Sequence, residues 1–139
     1  MPTDATPDTK GLTVSVEISP GELIDKITIL EIKAARIGDA EKLANVRHEL
    51  DLLKRIRAKN LSESADLAAL EAGLKQTNEA LWRIEDDIRD CERAQDFGPR
   101  FIELARSVYR TNDRRTRLKR EVGELFGTGI VEEKSYSDY

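Results

Sequence analysis

Apolar and polar positions alternate only once in this chain. Thr13 to Ser19 reads TVSVEIS, with Val14, Val16 and Ile18 on one side of an extended segment, which predicts a short strand. The period then changes to that of a helix. In Ser19-Pro20-Gly21-Glu22, Ser19 suits the cap, Pro20 the first helical position, and Glu22 the place from which a capping-box acid reaches back. A first helix should run to about Ile37 and end at Gly38. Asp39 caps a second, Ala40 to about Lys59, striped by Leu43, Val46, Leu50 and Leu53. After the polar break Asn60 to Ser64, a third helix spans Ala65 to Ala94. Its Leu67, Leu70, Leu74, Leu81, Ile84, Ile88 and Cys91 form a coiled-coil-like seam, with Thr77 in the one gap. A turn at Asp96 to Pro99 leads to a fourth helix, Pro99 to Phe126, closed by Gly127 to Gly129. Ile130 to Tyr136 (IVEEKSY) is then placed to pair with the first strand. Short breaks make sequential helices antiparallel neighbours. The expected fold is all-α: an elongated antiparallel bundle of about four helices, with a two-stranded ribbon joining the N- and C-terminal segments. Residues 12–139 make one domain, and Met1 to Gly11 reads as a disordered tail.

Some charges fall on apolar faces. In a projection at about 100° per residue, Glu31 lies within the arc of Leu23, Ile24, Ile27, Leu30 and Ala34. The fourth helix interrupts its core arc with Asn112, Arg115 and Lys119, and the third loses its leucines at Thr77 and Asn78. A turn near Phe97 sets residue 77 opposite about residue 118, so these interruptions share a level and form a polar layer. A buried charge must be paired, so Glu31 is expected to pair with Arg115, with Asn78 and Asn112 taking the spare hydrogen bonds. Such a layer fixes helix register. Alternatively it is a small-anion pocket, in which Arg115 and Lys119 hold a carboxylate or phosphate and Glu31 is the acid–base group. Ile29 and Ile32 sit outside the main arc, on the side of Asp25 and Arg36. They call for a second contact, either the ribbon or a second subunit.

Composition narrows the chemistry. The 139 residues hold 23 Lys or Arg and 27 Asp or Glu, a net charge of −4. An acidic balance argues against nucleic acid as a partner. Arg100 to Arg120 is strongly basic, but Glu79 to Asp96 is acidic, and a hairpin would let the two neutralise each other. No apolar run spans a membrane, and a lone Cys91 fits a cytoplasmic protein. His48, the single histidine, excludes a structural zinc site and is expected at the solvent edge. Trp82 is expected to pack across the third helix's seam. Glu85, Asp86 and Asp90 share a helix face and are weak candidates for Mg²⁺. No phosphate loop or nucleophile motif is present, so no cofactor is expected.

The segments VEISPGELIDKITILEIK, KLANVRHEL, LWRIEDDIR, FIELARSVYRTNDRR and IVEEKSY together resemble a family of small bacterial proteins classed as a domain of unknown function. That resemblance implies one domain and a bacterial source, and brings no activity with it. Leu23-Ile24-Asp25-Lys26-Ile27 also resembles, more loosely, the first helix of the all-helical chorismate mutases, whose site holds arginines, a lysine and a glutamate. The basic residue that family places before its Ile-Asp pair is absent here, where Gly21-Glu22 stand. The sequence therefore points first to a non-enzymatic helical assembly protein of the bacterial cytoplasm, a homodimer or a binder of partner helices. The alternative is an anion-binding or chorismate-mutase-like enzyme using the polar layer.

Overall fold

Capping chemistry sets the helix boundaries. In the computed structural model, which describes residues 11–139, the order is α1 (Pro20–Arg36), α2 (Ala40–Asn60), α3 (Ala65–Ala94) and α4 (Pro99–Phe126). Ser19 Oγ accepts from the Glu22 N–H at 3.1 Å, Asp39 Oδ1 from Glu41 at 3.2 Å and Ser64 Oγ from Leu67 at 3.1 Å. Gln95 and Gly127 close α3 and α4 in the left-handed region, at φ 54° and 65°. Glu22 does not complete a capping box; its carboxylate turns to Lys119 of α4 instead. The expected tail falls outside the described residues, Gly11 apart.

α1 is the centre of the packing. One face, with Leu23, Ile27 and Leu30, packs on Val46 and Leu50 of α2. Ile24 points the other way, into Leu67, Leu74 and Val122 of the α3–α4 hairpin, and Leu61 bridges the two clusters. Each fully buried aliphatic of this kind contributes about 1.5–3 kcal/mol. α2 touches α3 mainly through Arg57, whose guanidinium is clamped between Glu63 and Glu71. Where α1 crosses α4 the backbones meet: a Cβ on Gly21 would lie 2.0 Å from the Lys119 carbonyl oxygen. Only glycine permits that approach.

The α3–α4 hairpin outreaches α1. At about 1.5 Å per residue its helices extend roughly 42–45 Å, against about 25 Å for α1. Its outer half is therefore a two-helix arm, in which Ile84, Ile88, Phe101, Leu104 and Val108 are only half-buried and Phe97, Ile102 and Tyr109 are exposed. The hairpin is set about one turn away from the expected register. Gly73 packs on Leu118 and Gln76 accepts from Arg114, because Gln95 closes α3 ahead of Phe97.

Three expectations need correction. No strand forms among the described residues: Val14 is 78% exposed, and residues 130–139 run back along α4. A two-stranded ribbon alone is marginal in water, and the acids of the returning segment find cations on α4. Nor do acidic α3 and basic α4 neutralise each other. Among the described residues Arg100–Asp87, at 3.7 Å, is the ion pair that crosses the hairpin. Arg89–Glu85, Arg93–Asp90 and Arg106–Glu103 close within one helix, because residues three and four apart on a helix surface are close neighbours. Lastly, no ribbon forms among the described residues to cover Ile29 and Ile32, which line an open groove together with Leu81 and Trp82 of α3.

Candidate functional site

The polar layer exists, but a different acid is at its centre. Asp25 is fully buried on α1, and Arg115 reaches it from α4 through two nitrogens, Nε to Oδ1 at 2.9 Å and Nη2 to Oδ2 at 2.6 Å. Asn78 of α3 donates from Nδ2 to the same Asp25 Oδ1 at 2.9 Å and to Thr28 Oγ1 at 3.0 Å. Thr28 in turn donates to the Asp25 carbonyl at 2.8 Å. A forked, charge-assisted contact is the geometry in which a guanidinium holds a carboxylate best. The bond to Asp25 raises the Arg115 pKa against the opposing effect of burial. No buried side-chain polar atom among the described residues lacks a partner.

Glu31, expected to hold Arg115, lies elsewhere. Its carboxylate meets Lys75 Nζ at 3.4 Å, on the other side of α3's contact with α1. Asn78 takes spare hydrogen bonds as expected. The Asn112 side chain makes none among the described residues and borders two open grooves. Lys119 is close by but holds different partners, Glu22 at 3.2 Å and Glu132 at 2.8 Å. Burial depresses its ammonium, and the Glu132 and Glu22 carboxylates outweigh that and raise it overall. Asp25 does not stand out in the helical projection because it shares a side of α1 with Ile29 and Ile32, away from the widest apolar arc. Those two aliphatics were the available signal: they mark a second covered face, and any acid between them is covered too.

Two concavities flank the layer. A shallow groove of about 580 Å³ runs from Ile29 and Ile32 past Asn78, Leu81 and Trp82 to Asn112 and Arg115. Trp82 stands in it, with Arg36 5.6 Å over its ring, rather than across the α3 seam. The second, of about 350 Å³, lies between α4 and the returning segment, among Asn112, Arg115, Thr116, Lys119, Glu132 and Lys134. Of the acids considered for Mg²⁺, Glu85 and Asp90 are each engaged by an arginine and Asp86 borders the first groove. No three His, Cys, Asp or Glu converge among the described residues in a way that could hold a metal ion. His48 is exposed and Cys91 buried.

The returning segment is anchored at its far end by Asp113, which accepts from Tyr139 Oη at 2.7 Å and from Lys134 Nζ at 3.3 Å. The Tyr139 phenol, then Lys134, lower the Asp113 carboxyl pKa, and the same bond raises the phenol's. A lowered acid stabilises the docked segment above its ordinary range and ceases to as pH falls through the lower value. A raised phenol stabilises it below about pH 10 and ceases to as pH rises through the higher one. Docking should therefore hold at neutral pH and loosen at both extremes. Tyr139→Phe is expected to move the Asp113 titration, followed by carboxyl ¹³C NMR, up toward the ordinary aspartate value. An unchanged midpoint would show that the bond does not form in solution.

Over residues 14–138 the chain matches the family described as "Family of unknown function (DUF6165)". No curated protein and no solved structure matches it.

Proposed function

The chain belongs to DUF6165, a family of unknown function, and we propose that it is a non-catalytic assembly protein of the bacterial cytoplasm whose α3–α4 arm pairs with the arm of a second copy. One observation carries this reading: the face of the hairpin that α1 covers over its inner half continues toward the tip only partly covered. Phe101, Ala105 and Val108, at helical spacing on α4, continue that face beyond Asn112, with Val108 and Phe101 half-buried and Ala105 exposed. The arm is also charged in opposite senses on its two helices. Residues 83–94 of α3 hold five acids and three arginines, whereas residues 99–114 of α4 hold four arginines and two acids. A two-fold, antiparallel approach sets acidic α3 of each copy against basic α4 of the other, an isologous and self-complementary contact.

The closed polar layer supports the non-catalytic half of the proposal. Both Asp25 oxygens are engaged by Arg115 and Asn78 inside the protein, and Glu31 pairs with Lys75 rather than with Arg115. A general base needs an acceptor within reach of a substrate proton. Asp25 offers none. No described helix is long and apolar enough to cross a membrane.

Light scattering coupled to size exclusion tests the assembly. At micromolar concentration the mass is expected near twice the 15.7 kDa of one chain. Ala105→Glu sets a charge in the middle of the partly covered stripe and should return the single-chain mass without changing helix content. A wild-type mass of one chain across the accessible concentration range would overturn the proposal.

A further inference from the structure

Residues 130–139 lie along α4 as a bound peptide would. Lys119 Nζ meets Glu132 at 2.8 Å, Arg120 Nη2 donates to the Glu132 carbonyl at 3.0 Å, and the same guanidinium meets Glu133 at 3.3 Å. Further along, Lys134 and Tyr139 converge on Asp113, and the Tyr139 ring packs edge-on to Tyr109 at 5.0 Å between centroids. The contacts recur along an extended segment, and they differ sharply in depth. With the segment in place Lys119 is a mostly buried cation, its side chain 11% exposed, in the groove that Asn112, Arg115 and Thr116 form with Glu132 and Lys134, and it also meets Glu22 of α1. The segment itself stays in water: Val131 and Tyr136 remain more than half exposed. Its hold is therefore a row of solvent-screened polar contacts, the kind that individually contribute little and weaken with salt.

A cationic groove on α4 closed over by a loosely held acidic segment is an arrangement for exchange. We propose that the α4 face centred on Lys119 and Arg120 is a docking site for an extended, glutamate-bearing peptide of a partner protein, and that the chain's own residues 130–139 occupy it and hold it closed. The recognition elements are in place along α4. Lys119 takes a glutamate carboxylate, Arg120 takes the backbone carbonyl of that glutamate together with the next acid, and Tyr109 with Asp113 takes an aromatic residue bearing a hydroxyl. Gly127-Thr128-Gly129 is a short tether. It holds the resident segment at an effective concentration that is about millimolar for short flexible linkers, so an incoming peptide must compete with it. The site centres on Lys119 and Arg120, meets the arm only at Tyr109 and Asp113, and does not depend on pairing between copies.

The test uses full-length protein and a fluorescein-labelled peptide of residues 130–139, followed by anisotropy at low salt. Glu132→Lys combined with Glu133→Lys in the protein turns its own segment away from Lys119 and Arg120. The labelled peptide is expected to bind this variant about tenfold more tightly than it binds the wild type, and to release as salt is added. Arg120→Ala in the same background should abolish most of that gain, while a peptide with both glutamates changed to glutamine should not bind. Arg120 is exposed and outside the core, so its loss leaves folding intact. Equal affinity for wild type and variant, or equal binding of the glutamine peptide, would overturn the proposal. A dimer mass in the wild type that falls to one chain in the Glu132→Lys, Glu133→Lys variant would instead identify the segment of a second copy as the occupant, which also overturns the assignment to a different partner.

Discussion

Gly21→Ala is expected to lower the melting temperature by on the order of 10 °C, with a loss of about 3 kcal/mol or more. The added carbon would sit 2.0 Å from the Lys119 carbonyl oxygen and 2.7 Å from its carbonyl carbon. Both are α4 backbone, which cannot rotate aside as a side chain would. The first turn of α1 must lift, and that turn also carries Glu22 onto Lys119 and leads into Asp25. Gly38→Ala is the control: a Cβ there meets nothing within 4 Å, so its stability should change by less than about 0.5 kcal/mol. Thermal unfolding by circular dichroism measures both. If the two substitutions cost the same, the close approach of α1 to α4 is wrong.

Arg115→Met should cost a similar amount, about 3–5 kcal/mol, for an electrostatic reason. Asp25 has a side chain only 1% exposed, and the substitution leaves it with Asn78 as its one side-chain donor. A carboxylate taken out of water without a cation loses its hydration and recovers little of it. Asp25→Leu in the same chain should restore most of the loss, because replacing a whole buried pair with apolar groups is close to neutral whereas breaking one is not. A denaturant-melt double-mutant cycle reads the coupling directly. If Arg115→Met leaves the midpoint unchanged, the layer contributes nothing to stability, and Arg115 is free for the anion-binding role the sequence alternative gave it.

These two residues also show where sequence reasoning reaches and where it stops. The start of α1 was legible because a cap is a local matter: Ser19, Pro20 and the helix that follows are neighbours in the chain, and the bond from the Glu22 N–H to Ser19 Oγ needs no distant partner. The same holds for Asp39 before α2 and Ser64 before α3. Arg115, Asn78 and Lys119 were legible as polar residues facing inward, since a helical projection depends only on the chain's own period. Asp25 was not, because inward has no meaning for a helix covered on two sides. Its widest apolar arc is divided between α2 and, through Ile24, the hairpin, and Asp25 meets the hairpin beside Ile24.

The amino-acid sequence by itself determined four helices, nearly to the residue, and a polar layer in their core, because capping, turn chemistry and apolar period act over a few residues. Only the tertiary structure decided that Asp25 rather than Glu31 meets Arg115, that Glu22 leaves its capping position for Lys119, and that the acidic segment after α4 lies on that helix instead of forming a ribbon. Those choices turn on distances between elements far apart in the chain. Charges of either sign have many partners at comparable local cost, and the crossing of α1 over α4 at Gly21 selects among them.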